Sequence, residues 1–275
     1  MKEFLNVMAW PFFACLVLVG IHVYLGLHIL TRVVIFVDLS IAQLAALGTT
    51  IGYLSGFAFD SFETYLFSLG FTLLGAIAFS LTRFRRETIP QEAIVGIIYV
   101  VASSFMILLL DKAPHGAEHT KALLVGQILW TTGRDVLKTA LIYGIVGILF
   151  FIFHSRFQTI SESPELAREK GWSILFWDFL FYSLFGFIVT HSVRIAGVLL
   201  VFSFLIVPGV FSSLFSSQWR TRLFIGWGMG TFVSMLGVSI SYIFDLPTGA
   251  TVVTTFGFVL FLSGIIYAIV NRKFS

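Results

Sequence analysis

A few carboxylate, amide and imidazole side chains lie inside or at the ends of long apolar segments, where such groups are rare. Asp38 and Gln43 fall at the start of one segment, and Asp178 and His191 fall within another. Ionisable groups are costly in a hydrocarbon environment, and those found there are functional candidates. Carboxylate and imidazole groups are also the side chains that replace water around a divalent metal ion. The chemistry that these residue types indicate is therefore the binding of a cation.

The hydrophilic stretch APHGAEHT carries a second candidate set, His115, Glu118 and His119. His-x-x-x-His spacing with an intervening Glu allows shared coordination of a metal ion if the stretch is helical. Pro114 and Gly116 instead favour a turn. Because two histidines alone are a weak metal pattern, we interpret the stretch as an outer loop and keep an outer metal contact as the alternative.

His191 has two competing interpretations. It could be a ligand on a cation pathway, or an interfacial histidine satisfied by water or a backbone carbonyl. Arg194 would repel a cation, so it indicates a contact with a carboxylate or a partner protein. Asp178 is the best candidate inside the membrane to pair with either residue.

Composition sets the class of protein. Hydrophobic residues make up 58% of the 275 residues and charged residues 11%, and the mean hydropathy is +0.98. Soluble domains carry about a quarter charged residues, and a bilayer core about 30 Å thick needs about 20 apolar residues per helix. We predict an all-α, polytopic membrane protein with about nine transmembrane helices in one transmembrane domain, residues 1–275. The nine segments are residues 7–28, 39–58, 62–82, 91–110, 134–154, 172–191, 196–216, 223–244 and 250–270.

The basic residues indicate an orientation. If all nine segments cross the membrane, the most basic connections and the tail fall on one side, and basic loops stay in the cytoplasm. We therefore predict a multi-pass membrane protein with its N-terminus outside and its C-terminus cytoplasmic. The basic residues that carry this prediction are Arg32, Arg83, Arg85, Arg86, Arg156, Arg168, Lys170, Arg220, Arg222, Arg272 and Lys273. The stretch LLVGQILWTTG, residues 123–133, is too short to span and is predicted to be re-entrant or interfacial.

The polar stretch SESPELAREKGW, residues 161–172, contains the signals of a short helix. Ser163 suits the N-cap, Pro164 the first helical position, and Glu165 the positive end of the helix dipole. Lys170 and Gly171 suit the far end. Such a helix is marginal alone in water, which favours docking against another surface, with an ordinary solvated loop as the alternative.

This stretch resembles the coupling helix of the ABC-3 family, the metal-ion permeases of bacterial ATP-binding cassette importers. Five further motifs resemble the same family in the same order: RVVIFVDLSIAQLAALGTTIGYLSG, PQEAIVGIIY, LLVGQILW, VRIAGVLLVFSFLIVPG and SYIFDLPTGATVV. The resemblance covers about residues 7–270 and implies a location in the bacterial inner (cytoplasmic) membrane. It implies the fold of a type II importer-like permease and a coupling helix formed by Ser163, Pro164, Glu165, Leu166, Ala167, Arg168 and Gly171.

The resemblance also implies the partners. These are a second permease copy, two cytoplasmic ATPase subunits docked on the coupling helices, and an extracytoplasmic binding protein that delivers a metal ion, with no role for nucleic acid. The sequence contains no G-x-x-x-x-G-K-[ST] motif, so ATP is expected on the partner subunit, no cofactor is expected on this chain, and the chain is not expected to be an enzyme.

The cargo implied is a divalent transition metal, zinc first, with manganese or iron next. Zinc and manganese members of the family carry an Asp and a His four residues apart at the start of the second span. This chain has Gln43 at the position of that His and Leu39 at the position of that Asp, with Asp38 one residue earlier. Asp38 is then either a pathway ligand or a helix cap. The departure also leaves a metal chelate or siderophore open as cargo, and a non-transporting scaffold or a secondary carrier remain the alternatives to an importer.

Overall fold

Helices form wherever the sequence is apolar, because a backbone in lipid must satisfy its N–H and C=O groups internally. The computed structural model describes residues 2–83, 89–111 and 113–272, and these residues form helices and no strand. The helices are α1 (Lys2–Arg32), α2 (Val37–Leu54), α3 (Phe62–Leu81), α4 (Gln91–Asp111), α5 (Gly116–Val125), α6 (Gly133–Ile152), α7 (His154–Glu162), α8 (Pro164–Glu169), α9 (Ile174–Phe215), α10 (Trp219–Phe244) and α11 (Thr248–Arg272). The all-α, polytopic class is therefore confirmed. Arg85, Arg86 and Lys273, which contributed to the predicted orientation, lie outside the described residues.

Within the described ranges, eight helices are long and apolar enough to cross a membrane. The difference from the nine predicted segments lies in α9, which has 42 residues and contains two of those segments. Gly197 interrupts α9 with φ 75° and ψ 163°, which are not helical values. The two segments are thus present but follow each other through one glycine without a loop. The side of the membrane on which each terminus lies stays a prediction, because it depends on the number of crossings.

A short non-helical segment satisfies the backbone at this interruption. The N–H of Gln127 donates to the carbonyl oxygen of Ile195 at 3.1 Å. Gly126 has φ +73°, and a Cβ atom there would lie 2.1 Å from the carbonyl carbon of Ala196. Only glycine permits this approach, which places the segment before the 3-10 turn Ile128–Trp130 directly on the backbone of α9. The stretch predicted to be re-entrant or interfacial accordingly forms no spanning helix.

Residue contacts divide the chain into two compact units. The first unit comprises residues 1–30, 125–144 and 195–275, and the second comprises residues 31–124 and 145–194. The second unit holds the start of α2, the whole of α8 and the N-terminal part of α9. The candidate functional residues therefore lie mainly within one unit.

In the second unit, α2 packs closely against α3 and α4. A Cβ atom at Gly48 would lie 2.6 Å from the carbonyl oxygen of Phe67, so the two backbones meet at this glycine, as small residues allow in membrane helices. The hydroxyl of Ser68 donates to the carbonyl oxygen of Ala45 at 2.8 Å, which fixes α3 on α2. These contacts hold α2 as a central helix and so determine where its polar side chains lie.

Candidate transport and coupling sites

The first candidate site is the N-terminal half of α2, where Asp38 and Gln43 are almost fully buried, with exposures of 1% and 3%. Both carboxylate oxygens of Asp38 and the side-chain oxygen of Gln43 lack a hydrogen-bond partner among the described residues. Asp38 therefore does not cap α2, so its interpretation as a helix cap is wrong. The helix instead begins at Val37 after Phe36, without a side-chain cap.

Such unpartnered groups are energetically costly. Burying a polar group without a hydrogen bond costs roughly 2–7 kcal/mol, and an ionised carboxylate costs more. The two residues are five apart, so they point about 140° apart around the helix axis. The carboxylate and amide oxygens therefore face different sides of α2, and a bound cation is the kind of group that would offset the burial of the Asp38 carboxylate.

Glu92, at the start of α4, is a polar neighbour of this site that the sequence reasoning missed. Its Oε1 atom accepts a hydrogen bond from the backbone N–H of Phe36 at 3.1 Å, and its Oε2 atom is buried without a partner within the described chain. Glu92 thus connects α4 to the start of α2. The only available signal was its place in the motif PQEAIVGIIY.

Asp178 is fully buried at the start of α9 and is paired with two arginines. Arg32 Nη1 lies 2.7 Å from Asp178 Oδ1, and Arg83 Nη1 lies 2.9 Å from Asp178 Oδ2. The side chains of Arg32 and Arg83 are 2% and 17% exposed. The expectation that Asp178 pairs with His191 or Arg194 is therefore wrong, because its carboxylate is occupied by the two guanidinium groups. We call Arg32, Arg83 and Asp178 the charge cluster.

The same two arginines also hold the end of α7. Arg32 Nε donates to Ser161 Oγ at 2.9 Å, and Arg83 Nη2 donates to the carbonyl oxygen of Ile160 at 3.1 Å. The Arg32 guanidinium additionally lies 4.0 Å from the centre of the Phe181 ring. Losing one member of a buried ion pair typically costs about 3–5 kcal/mol, because the other charge is left uncompensated. The charge cluster is thus a strong local constraint on α7 and α9.

His191 and Arg194 lie on α9, far from Asp178. His191 is half-buried and follows Asp178 by 13 residues, which is about 20 Å along a helix. Arg194 lies 3.9 Å from Asp60 and over the ring of Tyr65. The predicted carboxylate partner of Arg194 is therefore present, but it is Asp60. A ligand role for His191 stays a prediction.

Pro114 and His115 form the predicted turn, and the rest of the stretch APHGAEHT lies in the helix that begins at Gly116, so the loop interpretation holds only for its first residues. His115 precedes the helix and lies 3.2 Å from Glu118. His119 stacks on the ring of Phe59 with a centroid distance of 4.2 Å. Within residues 2–83, 89–111 and 113–272, no group of three His, Cys, Asp or Glu side chains could hold a metal ion. The outer metal contact stays a prediction.

The predicted short polar helix exists as α8, residues Pro164–Glu169, with proline in its first turn. Its C-terminus is a Schellman motif: Gly171 has φ +72°, and its N–H donates to Arg168 at 2.9 Å. The N–H of Trp172 donates to the carbonyl oxygen of Ala167 at 3.0 Å. The N-cap prediction is wrong in one respect, because the Ser163 side chain makes no capping hydrogen bond.

One face of α8 is buried and another is exposed. Ala167 is fully buried, whereas Leu166 is exposed. A cavity of about 930 Å³ lies beside the helix and is lined in part by Pro164, Arg168 and Glu92. Leu166 is not one of the residues that line the cavity, so the exposed leucine and the cavity are two separate features of α8.

Apolar spanning helices, buried carboxylates and an exposed polar helix together define a polytopic membrane protein. The chain belongs to the ABC 3 transport family, whose profile matches residues 4–267.

Named relatives agree with this family. The manganese transport system membrane protein MntC of Listeria innocua is 22% identical over 239 residues, which cover 87% of this chain and 83% of that protein. A Haemophilus influenzae protein named "Probable iron transport system membrane protein" is 27% identical over 166 residues. That match covers 60% of this chain and 58% of the Haemophilus protein, so the chain spans somewhat over half the length of that relative.

Two solved structures share the fold. PsaBC from Streptococcus pneumoniae, solved in complex with Fab, matches with a TM-score of 0.78 and 20% identity over 95% of this chain and 94% of that chain. A structure described as an inward-facing ABC transporter of metal-chelate type matches with a TM-score of 0.69 and 16% identity, over 99% of this chain and 89% of that chain.

The contrast between the two buried aspartates gives a stability prediction. Asp178→Asn removes the charge that both arginines need, so we expect the free energy of unfolding to fall by about 3–5 kcal/mol. Asp38→Asn is the matched substitution at a carboxylate without partners, and we expect no loss of stability. Thermal unfolding of both variants in detergent micelles measures the difference. A loss for Asp38→Asn as large as that for Asp178→Asn would show that Asp38 has a structural partner after all.

Proposed function

We propose that this chain is the permease subunit of an ABC importer for a divalent transition metal ion, in a bacterial inner membrane. The observation that supports this most directly is Asp38, a buried carboxylate whose two oxygens have no partner in the described chain. An unpaired carboxylate in a membrane helix is costly unless a cation visits it. Family membership and the names of the relatives support metal as the cargo.

The donor atoms favour manganese over zinc. Asp38 and Gln43 face different sides of α2, and each offers oxygen atoms only. Oxygen ligands suit hard cations such as Mn²⁺, whereas zinc sites usually contain imidazole or thiolate. The Listeria relative is named for manganese and the Haemophilus relative for iron. We therefore place manganese first and keep zinc, the expectation from sequence, as the next ion to test.

ATP hydrolysis on separate subunits would drive the transport. In this proposal α8 docks on a cytoplasmic ATPase subunit, and an extracytoplasmic binding protein delivers the ion to a dimer of permeases. Closure of the ATPase subunits pushes α8 and switches the central path from outward to inward facing, a rigid-body transition. The exposed Leu166 and the cavity beside α8 support a docking role.

Transport of a metal chelate is the second candidate function. The fold matches a transporter described as metal-chelate type, and the histidine of the family's usual ligand pair is replaced by Gln43. A chelated metal needs few protein ligands, so it would tolerate this replacement. Uptake of a chelate but of no free ion by an assembled complex would favour this candidate.

Transport by the reconstituted complex tests the main proposal. The chain, its ATPase and its binding protein are placed in proteoliposomes, and ATP-dependent uptake of Mn²⁺, Zn²⁺ and Fe²⁺ is measured. We expect Mn²⁺ uptake that falls at least about tenfold in Asp38→Asn, equivalent to about 1.4 kcal/mol. Asp245→Asn is the control, because Asp245 is exposed. Unchanged uptake in an assembled Asp38→Asn complex would remove Asp38 from the pathway.

Cargo selectivity depends on Gln43 in this proposal. Gln43→His adds an imidazole, which binds zinc more strongly than manganese. We expect the ratio of Zn²⁺ to Mn²⁺ uptake to rise on the order of tenfold, whereas Gln43→Glu, which keeps oxygen donors, should not raise it. Competition between the two ions in the same vesicles measures the ratio. A ratio insensitive to Gln43→His would mean that this side chain does not contact the ion.

Docking of the ATPase is tested on α8. Leu166→Asp places a charge on the exposed face of the helix, so we expect the ATPase to be lost when the complex is purified through a tag on the permease. Leu246→Asp is the control, because Leu246 is exposed to 45% and Leu166 to 43%, but Leu246 lies outside α8. Retention of the ATPase by Leu166→Asp at native levels would contradict docking on this face.

A further inference from the structure

We propose that the charge cluster of Arg32, Arg83 and Asp178 transmits movement of α8 to α9, and that α9 transmits it to α2. The inference rests on the proposed function, because it assigns a route to the movement that ATP drives. It makes the three residues positioning residues, with no contact to the cargo.

The first step of the route is the connection between α8 and α7. The charge cluster holds Ile160 and Ser161, and α8 begins at Pro164, three residues after Ser161. The N–H of Ser163 donates to Thr159 at 2.8 Å, which ties this short linker to α7. A displacement of α8 therefore cannot be absorbed by a long flexible loop and reaches the residues that the arginines bind.

The second step is the ion pairing itself. Each guanidinium binds the α7 end with one nitrogen and Asp178 of α9 with another. Guanidinium is planar and its donors are fixed relative to each other, so it transmits position better than a single flexible ammonium group. Because the three side chains are mostly buried, water does not readily replace these bonds.

The third step leads from α9 to the proposed ion site. A Cβ atom at Gly186 would lie 2.4 Å from Cγ2 of Thr72 and 3.7 Å from Cγ2 of Ile41, so α9 touches both α3 and α2 there. Ile41 lies between Asp38 and Gln43 on α2. Thr190 Oγ1 also lies 2.8 Å from Thr72 Oγ1, which fixes the next turn of α9. A tilt of α9 would thus displace the part of α2 that carries the unpartnered side-chain oxygens of Asp38 and Gln43.

The test separates transmission from simple stability. Arg83→Gln removes the bonds from Arg83 to Ile160 and Asp178 but leaves the Arg32–Asp178 pair, so the fold keeps a compensated carboxylate. In the reconstituted transporter we expect ATP hydrolysis to continue while Mn²⁺ uptake per ATP falls on the order of tenfold. Arg83→Lys keeps a positive charge for Asp178 but loses the planar guanidinium. Its Mn²⁺ uptake per ATP should therefore lie between that of the native complex and that of Arg83→Gln. A purely structural role would lower uptake and hydrolysis together and leave their ratio unchanged.

Arg156→Gln is the matched control. Arg156 lies on α7, and its guanidinium lies 4.6 Å from the centre of the Trp177 ring on α9, so it links the same two helices without belonging to the charge cluster. We expect its uptake per ATP to match that of the native complex. An equal fall for Arg156→Gln and Arg83→Gln, or no fall for Arg83→Gln, would overturn the inference.

A second measurement does not depend on the cargo and so separates this inference from the proposed function. Hydrogen–deuterium exchange is followed in the ATPase complex with and without a non-hydrolysable ATP analogue. We expect exchange to change in both α8 and residues 174–194 of the native complex, and the change in 174–194 to disappear in Arg83→Gln while that in α8 remains. If the ATP analogue changes exchange in α8 of the native complex but not in residues 174–194, transmission through the charge cluster is refuted, whatever the cargo is.

Discussion

A polar group in an apolar interior must find a partner, and this constraint explains most of the structure. The backbone meets it by forming helices across the apolar segments. Where α9 is interrupted at Gly197, the carbonyl oxygen of Ile195 receives the N–H of Gln127. Where Asp178 is buried, two guanidinium groups surround it. Each of these two departures from a regular apolar helix is matched by a specific polar contact.

Asp38 and Gln43 depart from this rule on α2, the helix that packs against α3 and α4. Their side-chain oxygens are buried without partners in the described chain, although the neighbouring serines and threonines of α2 find backbone carbonyls. Proteins tolerate such local costs mainly where function needs them. The same chain pairs one buried carboxylate twice and leaves another unpaired, so burial alone does not explain the difference. In the proposed function, a transported cation at Asp38 supplies the missing partner.

Local features were predictable from the sequence and distant contacts were not. Pro164 and Gly171 restrict the backbone angles at their own positions, so they determine the ends of α8 independently of the rest of the fold. The partners of Asp178 lie 146 and 95 residues away, and no spacing pattern reports such a contact. The apolar segments were found because hydropathy is a property of each segment, whereas their joining through Gly197 depends on the backbone conformation of one residue. The unpartnered state of Asp38 also needed three dimensions, because it depends on what every neighbouring helix presents.

Oxygen coordination of the ion at α2 is the central claim, and anomalous diffraction tests it most directly. Crystals of the assembled transporter are grown with Mn²⁺, and data are collected on both sides of the manganese absorption edge. We predict an anomalous peak next to the Asp38 carboxylate, at roughly the 2.0–2.6 Å that oxygen ligands give for hard divalent cations. A peak at His191 or at the outer pair His115 and His119, with none beside α2, would contradict the account.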